Sequence, residues 1–259
     1  MIVDLFAGPG GWSEGLRMLG MSDVGIEWDA AACRTRAAAG HLTIRADVTA
    51  MPAKHLCSKV CLLIASPPCT AFSMAGKGAG RDVIDTLCRA MYRGDWYAMR
   101  DEHPMVVWAP LDVGRWIEEC QPTRIALEQV PPAMPLWEAL AHWLRTRGYS
   151  VATRVLNAAD YGVPQTRQRA FLAASLDGPA ELPVPTHDRR PVDSLFGTKS
   201  QWVSMAEALG WGMTERAMPT LTGGGIATGG PEPIRNRELL EREREGHRWL
   251  PKGAGDGHE

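Results

Sequence analysis

The chain opens on Ile2-Val3-Asp4-Leu5-Phe6, an apolar run of strand length, followed at once by Gly8, Gly10 and Gly11 and then by an amphipathic segment over residues 13–19. A strand that passes through a glycine turn into a helix buries its apolar faces only by stacking against further units of the same kind. The pattern does recur. Residues 23–27 read as a second strand, 30–39 as an Ala-rich helix, and 60–65 as a continuous apolar strand ended by Ser66-Pro67-Pro68. Residues 111–120 read as helix, 124–128 as strand and 136–147 as a helix stopped by Gly148, and 149–156 and 170–174 as a neighbouring pair of strands. Strands separated by helices need crossover connections, which predicts an α/β fold: a Rossmann-like, largely parallel sheet with helices on both faces.

After Ser175 the pattern thins. Pro179, Pro183, Pro185, Pro191, Gly223 to Gly225 and Gly229-Gly230-Pro231 make this part loop-rich, with a helix candidate at 203–209 and alternating charges over 235–248 that read as a solvated helix. The division expected is therefore 1–175 for the sheet domain and 176–259 for a small irregular region. A length of 259 residues, with 45% apolar and 22% charged, fits one domain with an appendage and excludes disorder or a fibrous repeat. No stretch approaches the roughly 18 apolar residues of a membrane helix. The first residues lack a basic leader and cleavage site, so no signal peptide and a cytosolic location are expected.

The net charge of −2 divides evenly, 15 basic and 16 acidic residues through Ser150 and 13 and 14 after it, so neither half is a basic module and any nucleic-acid contact must be local. Cys33, Cys57, Cys61, Cys69, Cys88 and Cys120 are expected as reduced thiols, with Cys61 buried at the head of its apolar run. His55, Cys57 and Cys61 have no second ligand pair at zinc spacing, so no metal site is expected.

Polar groups at predicted strand ends carry the chemistry. The glycine turn lets a ligand approach backbone and helix N-terminus, or is simply a tight turn. Glu27 lies about twenty residues further on, where sheets of this type hold ribose hydroxyls. Trp28 beside it offers a ring for stacking; an exposed Glu and a core Trp are the plain alternative. Asp47, just before Val48, adds a third polar group. Cys69 stands on the first loop after a buried strand, its backbone stiffened by two prolines, which suits a nucleophile as well as an inert thiol. Glu128 ends a strand, where a carboxylate is either exposed or employed. Gln165, Arg167 and Arg169 alternate, so an extended segment would point all three to one face, suited to phosphate or carbonyl oxygens or to plain salt bridges.

Together and in this order, these segments resemble the DNA cytosine-5 methyltransferase family. The resemblance rests on Asp4-Leu5-Phe6-Ala7-Gly8-Pro9-Gly10-Gly11, Glu27-Trp28, Asp47, the Pro67-Pro68-Cys69 loop, Glu128 and the Gln165/Arg167/Arg169 set, and covers about residues 1 to 175. It implies S-adenosylmethionine as cofactor, leaving as S-adenosylhomocysteine. Phe6, Gly8, Pro9, Gly10 and Gly11 would surround it, with Glu27 on the ribose, Trp28 on the adenine, Asp47 and Val48 near the adenine edge, and Pro68 also in contact. Cys69 would add to C6 of cytosine, Glu128 would hold N3 and the exocyclic amine, and Arg167 and Arg169 would grip the O2 side and the adjacent phosphate. The implied partner is double-stranded DNA with the target base flipped out, and the implied assembly a monomer, or a chain completed by a partner. Two alternatives stand beside this: an RNA or nucleotide cytosine methylase, and a catalytically incomplete subunit of a split enzyme.

The sequence also departs from the family. Thr70 stands where Gln is usual and Gln129 where Asn is usual, and 58 residues separate Cys69 from Glu128, implying an insertion around 76–103. The family's closing motifs are not found after Gly230, so 176–259 is expected to be a reduced target-recognition region.

Overall fold

The computed structural model describes residues 1–72, 83–191, 199–209 and 218–219. They fall into two compact units, one of residues 1–155 with 169–182, the other of residues 156–168 with those from 183 onward. The sequence expectations for 76–82, 223–231 and 235–248 lie outside the described residues.

The first unit is built in chain order from β1 (Ile2–Leu5), α1 (Gly11–Met18), β2 (Asp23–Glu27), α2 (Ala30–Ala38), β3 (Leu42–Arg45), β4 (Leu62–Ala65), α3 (Ile84–Arg93), α4 (Met105–Cys120), β5 (Arg124–Gln129), α5 (Met134–Arg145) and β6 (Ser150–Asn157). β7 (Gln165–Thr166) then precedes β8 (Gln168–Ser175). The main sheet has the order β3-β2-β1-β4-β5-β8-β6. β1 runs parallel to β2 and β4, β2 to β3, and β4 to β5, while β8 is antiparallel to β5. The expected α/β, Rossmann-like sheet is thus what the chain forms. Val3, Leu5, Ile26, Leu63, Ile125 and Leu127 are buried in its core with Trp116, Trp137, Leu140 and Leu144 of the covering helices.

Strand order reverses between β1 and β4, and all five parallel strands present their carboxyl ends at one edge. That edge, at the reversal, is where open α/β sheets bind ligands.

In the second unit β7 pairs in parallel with β11 (Met218–Pro219), and β9 (His187–Asp188) with β10 (Ser200–Gln201). The helix expected at 203–209 is α6 (Met205–Ala208), whose preceding Ser204 accepts a 2.9 Å bond from the Glu207 N–H at its side-chain oxygen. Trp202 donates to Asp160 at 3.0 Å.

Four expectations need correction. The sequence pattern predicts neither β3 nor α3 in the first unit, nor the two-residue strands β9, β10 and β11. The helix read from residue 111 begins at Met105 and carries Pro110 in its interior. Cys57 and Cys120 are joined by a disulfide, because the turn at Cys57–Lys59 packs on the end of α4 and brings their Cα atoms to 4.1 Å, so the thiol set is not wholly reduced. Cys61 is exposed rather than buried, since it precedes β4 and lies against the chain start, where its sulfur accepts from the Met1 amine at 3.2 Å. That amine holds the Cys61 thiol below its usual range. Among the described residues no helix is long and apolar enough to cross a membrane, and no group of three or more His, Cys, Asp or Glu is placed to hold a metal ion.

Candidate active site

At the carboxyl edge of the first unit lies a cleft lined by Phe6, Ile26, Glu27, Trp28, Ala46, Asp47, Val48, Ser66, Pro68 and Met105. The lining suits a small organic ligand: apolar walls with a few convergent polar groups. Phe6 leaves β1 in the left-handed region, φ 56°, a conformation costly for a side chain of this size and common at functional turns.

Glu27 organises the floor. One carboxylate oxygen accepts the Gly8 N–H at 2.8 Å and the other the Asp29 N–H at 2.7 Å. Each oxygen keeps a second lone pair, so the carboxylate is fixed in direction and can still accept ligand hydroxyls. Trp28 next to it is 62% exposed, unusual for a Trp side chain inside a domain and suited to stacking. The opposite wall turns at Asp47, whose side chain accepts from the Thr49 N–H and hydroxyl, both at 2.8 Å. Behind it, Arg115 and the Trp116 indole donate to the Val48 carbonyl at 3.0 and 3.2 Å. Arg115 is itself aimed by buried Asp112 at 2.7 Å; burial pushes the Asp112 carboxyl up, against the pull of Arg115 and Arg100.

The reactive loop follows β4. Cys69 is half-buried, and two side chains fasten the segment before it, one through a side chain and one through the backbone. Trp12 donates to the Ser66 hydroxyl at 2.8 Å, and the fully buried Gln129 donates to the Pro67 carbonyl at 3.0 Å while accepting the Val130 N–H at 2.8 Å. Gln129 therefore fastens the loop that carries the thiol. Glu128 faces Arg169 in a 2.7 Å ion pair, both partly buried. The antiparallel register puts Glu128 opposite Phe171, so Arg169 is its diagonal neighbour on the same face.

Of the residues expected around a cofactor, Phe6, Glu27, Trp28, Asp47, Val48 and Pro68 line the cleft, whereas Gly8, Pro9, Gly10 and Gly11 do not. Gly8 meets it indirectly, through Glu27. Ile26, Ala46, Ser66 and Met105 line it without having been picked out. Ile26 and Ala46 could have been found as neighbours of the chosen strand ends, but Met105 sits before Pro110, where the sequence reading began the helix too late. The condition for Gln165, Arg167 and Arg169 to share a face, one extended run, is not met: Gln165 belongs to β7, Arg169 to β8, and Arg167 stands between them in the second unit, its N–H donating to Asn157 at 3.0 Å.

The chain matches the model of the C-5 cytosine-specific DNA methylase family over residues 1–91 and 108–205. It is 29% identical over 220 residues to type II methyltransferase M.AquIA of Picosynechococcus sp., covering 76% of this chain and 82% of that one. It is 27% identical over 218 residues to type II methyltransferase M.DdeI of Desulfomicrobium norvegicum, covering 78% and 47%, and 29% identical over 199 residues to M1.HphI of Haemophilus parahaemolyticus, covering 71% and 48%. It thus spans most of the first relative and about half of the other two. In fold it resembles a prophage-encoded E. coli protein described as a DNA modification methyltransferase, at 22% identity and TM-score 0.52, over 80% of this chain and 53% of that one. With a family match over most of its length and the family's sheet beneath it, the chain belongs to the C-5 cytosine-specific DNA methylase family.

Proposed function

We propose that the protein transfers a methyl group from S-adenosylmethionine to C5 of cytosine in double-stranded DNA. The observation that carries this reading is that one sheet edge holds both a cleft floored by Glu27 and Trp28 and the Cys69 loop, fastened at Pro67 by Gln129, whose neighbour Glu128 pairs with Arg169. The cleft fits an adenosyl group: a directed carboxylate for ribose hydroxyls, an exposed indole for the adenine, and apolar walls. When bound, S-adenosylmethionine supplies an electrophilic methyl on a sulfonium.

The chain's residues make cytosine reactive. C5 is a poor nucleophile, so the Cys69 thiolate adds to C6, forming a C–S bond and moving the ring electrons toward C5. Glu128, hydrogen-bonded to N3 and the exocyclic amine, stabilises the ring as it accepts that density, and Arg169 holds the O2 side. After methylation, loss of the C5 proton to a base returns electrons to the ring and expels the Cys69 thiolate. The target nucleotide must leave the duplex to reach this loop. In this reading residues 1–175 are the catalytic domain, 176–259 hold a reduced recognition region, and the chain acts as a monomer.

Bisulfite sequencing of DNA from cells with and without the gene tests the activity and reads the site. Cys69→Ser is expected to abolish methylation, and full methylation by that variant would remove the covalent mechanism. Duplex DNA, tRNA and free nucleotides assayed side by side decide the substrate, and light scattering with and without DNA decides the assembly.

A further inference from the structure

We propose that Arg36, on α2, is the positioning residue of the glycine turn: it holds the Ala7–Gly8 peptide in the orientation that aims Glu27 and so sets affinity for the adenosyl cofactor without touching it. The proposal rests on the cofactor reading above.

Arg36 is fully buried. Its Nε donates to the Thr43 hydroxyl at 2.9 Å, and Nη2 to the Leu42 carbonyl at 3.2 Å and to Asp23 at 3.3 Å. Its Nη1 reaches the Ala7 carbonyl at 3.5 Å, with Asp4 at 4.0 Å. A buried cation is costly, and where only packing is needed an apolar side chain does as well. What a guanidinium adds is a planar fork of donors in fixed directions. Here the fork ties the starts of β2 and β3 to the turn after β1. The bonds to Thr43, Leu42 and Asp23 anchor it, and the long contact to the Ala7 carbonyl acts on that carbonyl's dipole.

The Ala7–Gly8 peptide is where this matters. Its carbonyl accepts the Gly10 N–H at 3.2 Å and faces Arg36, while its N–H donates to Glu27 at 2.8 Å. Carbonyl and N–H share one rigid plane, so a peptide that tips when the carbonyl loses its cation also withdraws the N–H that aims Glu27. The room for Arg36 is built in. A Cβ on Gly25 would overlap the guanidinium, and one on Gly10 would lie 2.9 Å from the His41 ring and 3.5 Å from Nη1.

The test uses the full-length protein, with S-adenosylhomocysteine as the titrated ligand. Arg36→Met is expected to weaken its binding roughly tenfold and raise KM for S-adenosylmethionine by a similar factor, the effect of about one charge-assisted bond. At saturating cofactor kcat should stay within about twofold, since Cys69, Glu128 and Arg169 are untouched. Thr43→Val, which removes one anchor of the fork, should weaken binding roughly threefold, and Arg36→Lys should recover part of the loss. Hydrogen exchange over residues 6–11 should accelerate in Arg36→Met, a readout independent of the cofactor. Unchanged affinity and exchange in a folded Arg36→Met overturn the proposal. If that variant does not fold, Thr43→Val and Gly25→Ala carry the test, and wild-type affinity in both overturns it equally. A wild-type protein that binds no S-adenosylhomocysteine overturns the cofactor reading instead, while the exchange measurement still decides whether Arg36 holds the turn.

Discussion

Asp4 sits at the centre of β1 with its carboxyl fully buried, and among the described residues neither oxygen has a hydrogen-bond partner. Burial, then the charges of Asp23 and Glu27, push its pKa up to about 8 against the pull of Arg36. A carboxyl raised in the folded state keeps its proton there while the unfolded chain has lost it, so it costs stability increasingly from about pH 4 and fully only above pH 8. Asp4→Asn lacks this titration. Its melting temperature relative to wild type should therefore climb through that window and level off above it; a difference independent of pH would contradict the assignment. Gln129→Leu tests the loop brace. Leaving the Pro67 carbonyl and the Val130 N–H unpaired should cost about 1–3 kcal/mol in a denaturant titration, with methyl transfer slowed and cofactor affinity retained. Residues of this kind differ in how openly they announce themselves. Cys69, Glu27 and Glu128 are conspicuous because polar groups at the ends of apolar runs need a reason. Arg36 gives no such signal, since in an Ala-rich segment also carrying Arg34 it reads as solvated surface, and only the packed structure reveals the slot at Gly25.

The elements that could be read early were those whose apolar content is continuous: β1, β2, β4, β5 and α5. β3 was missed because Leu-Thr-Ile-Arg ends the sheet order, takes its partner from one side only and stays partly exposed. α3 was missed because its charges hide a narrow stripe, Leu87, Ala90 and Met91, buried at helical spacing. Pro110 interrupts the expected ladder of α4, yet it is buried in the first half of the helix, and the interior takes up the loss of one bond. The turn between β1 and α1 makes its own prediction. Gly10 has φ 109°, and a Cβ there meets His41, so Gly10→Ala should destabilise the fold by about 1–3 kcal/mol and weaken cofactor binding. Calorimetry of the unliganded protein beside a cofactor titration measures both, and a variant as stable and as tight-binding as wild type would refute the turn's role.

For the whole molecule, topology does what composition cannot. A net charge of −2 gave no hint of a nucleic-acid enzyme, yet the order β3-β2-β1-β4-β5 carries five separated sequence segments to one edge. The disulfide joins residues 63 positions apart, a loop long enough that Cys120→Ser, or reduction of the wild type, should lower stability by about 2–4 kcal/mol. Thiol titration under denaturing conditions checks the bond first: six reactive thiols before reduction, the full cysteine count, would dismiss it.

Gly25 lies inside β2, where glycine is a poor strand former, and the space above it belongs to Arg36. On the proposal that Arg36 holds the glycine turn, a side chain at position 25 displaces the guanidinium and also crowds the Ala7 Cβ, so positions 25 and 36 are expected to change together among relatives, and relatives that keep one without the other would count against the pairing.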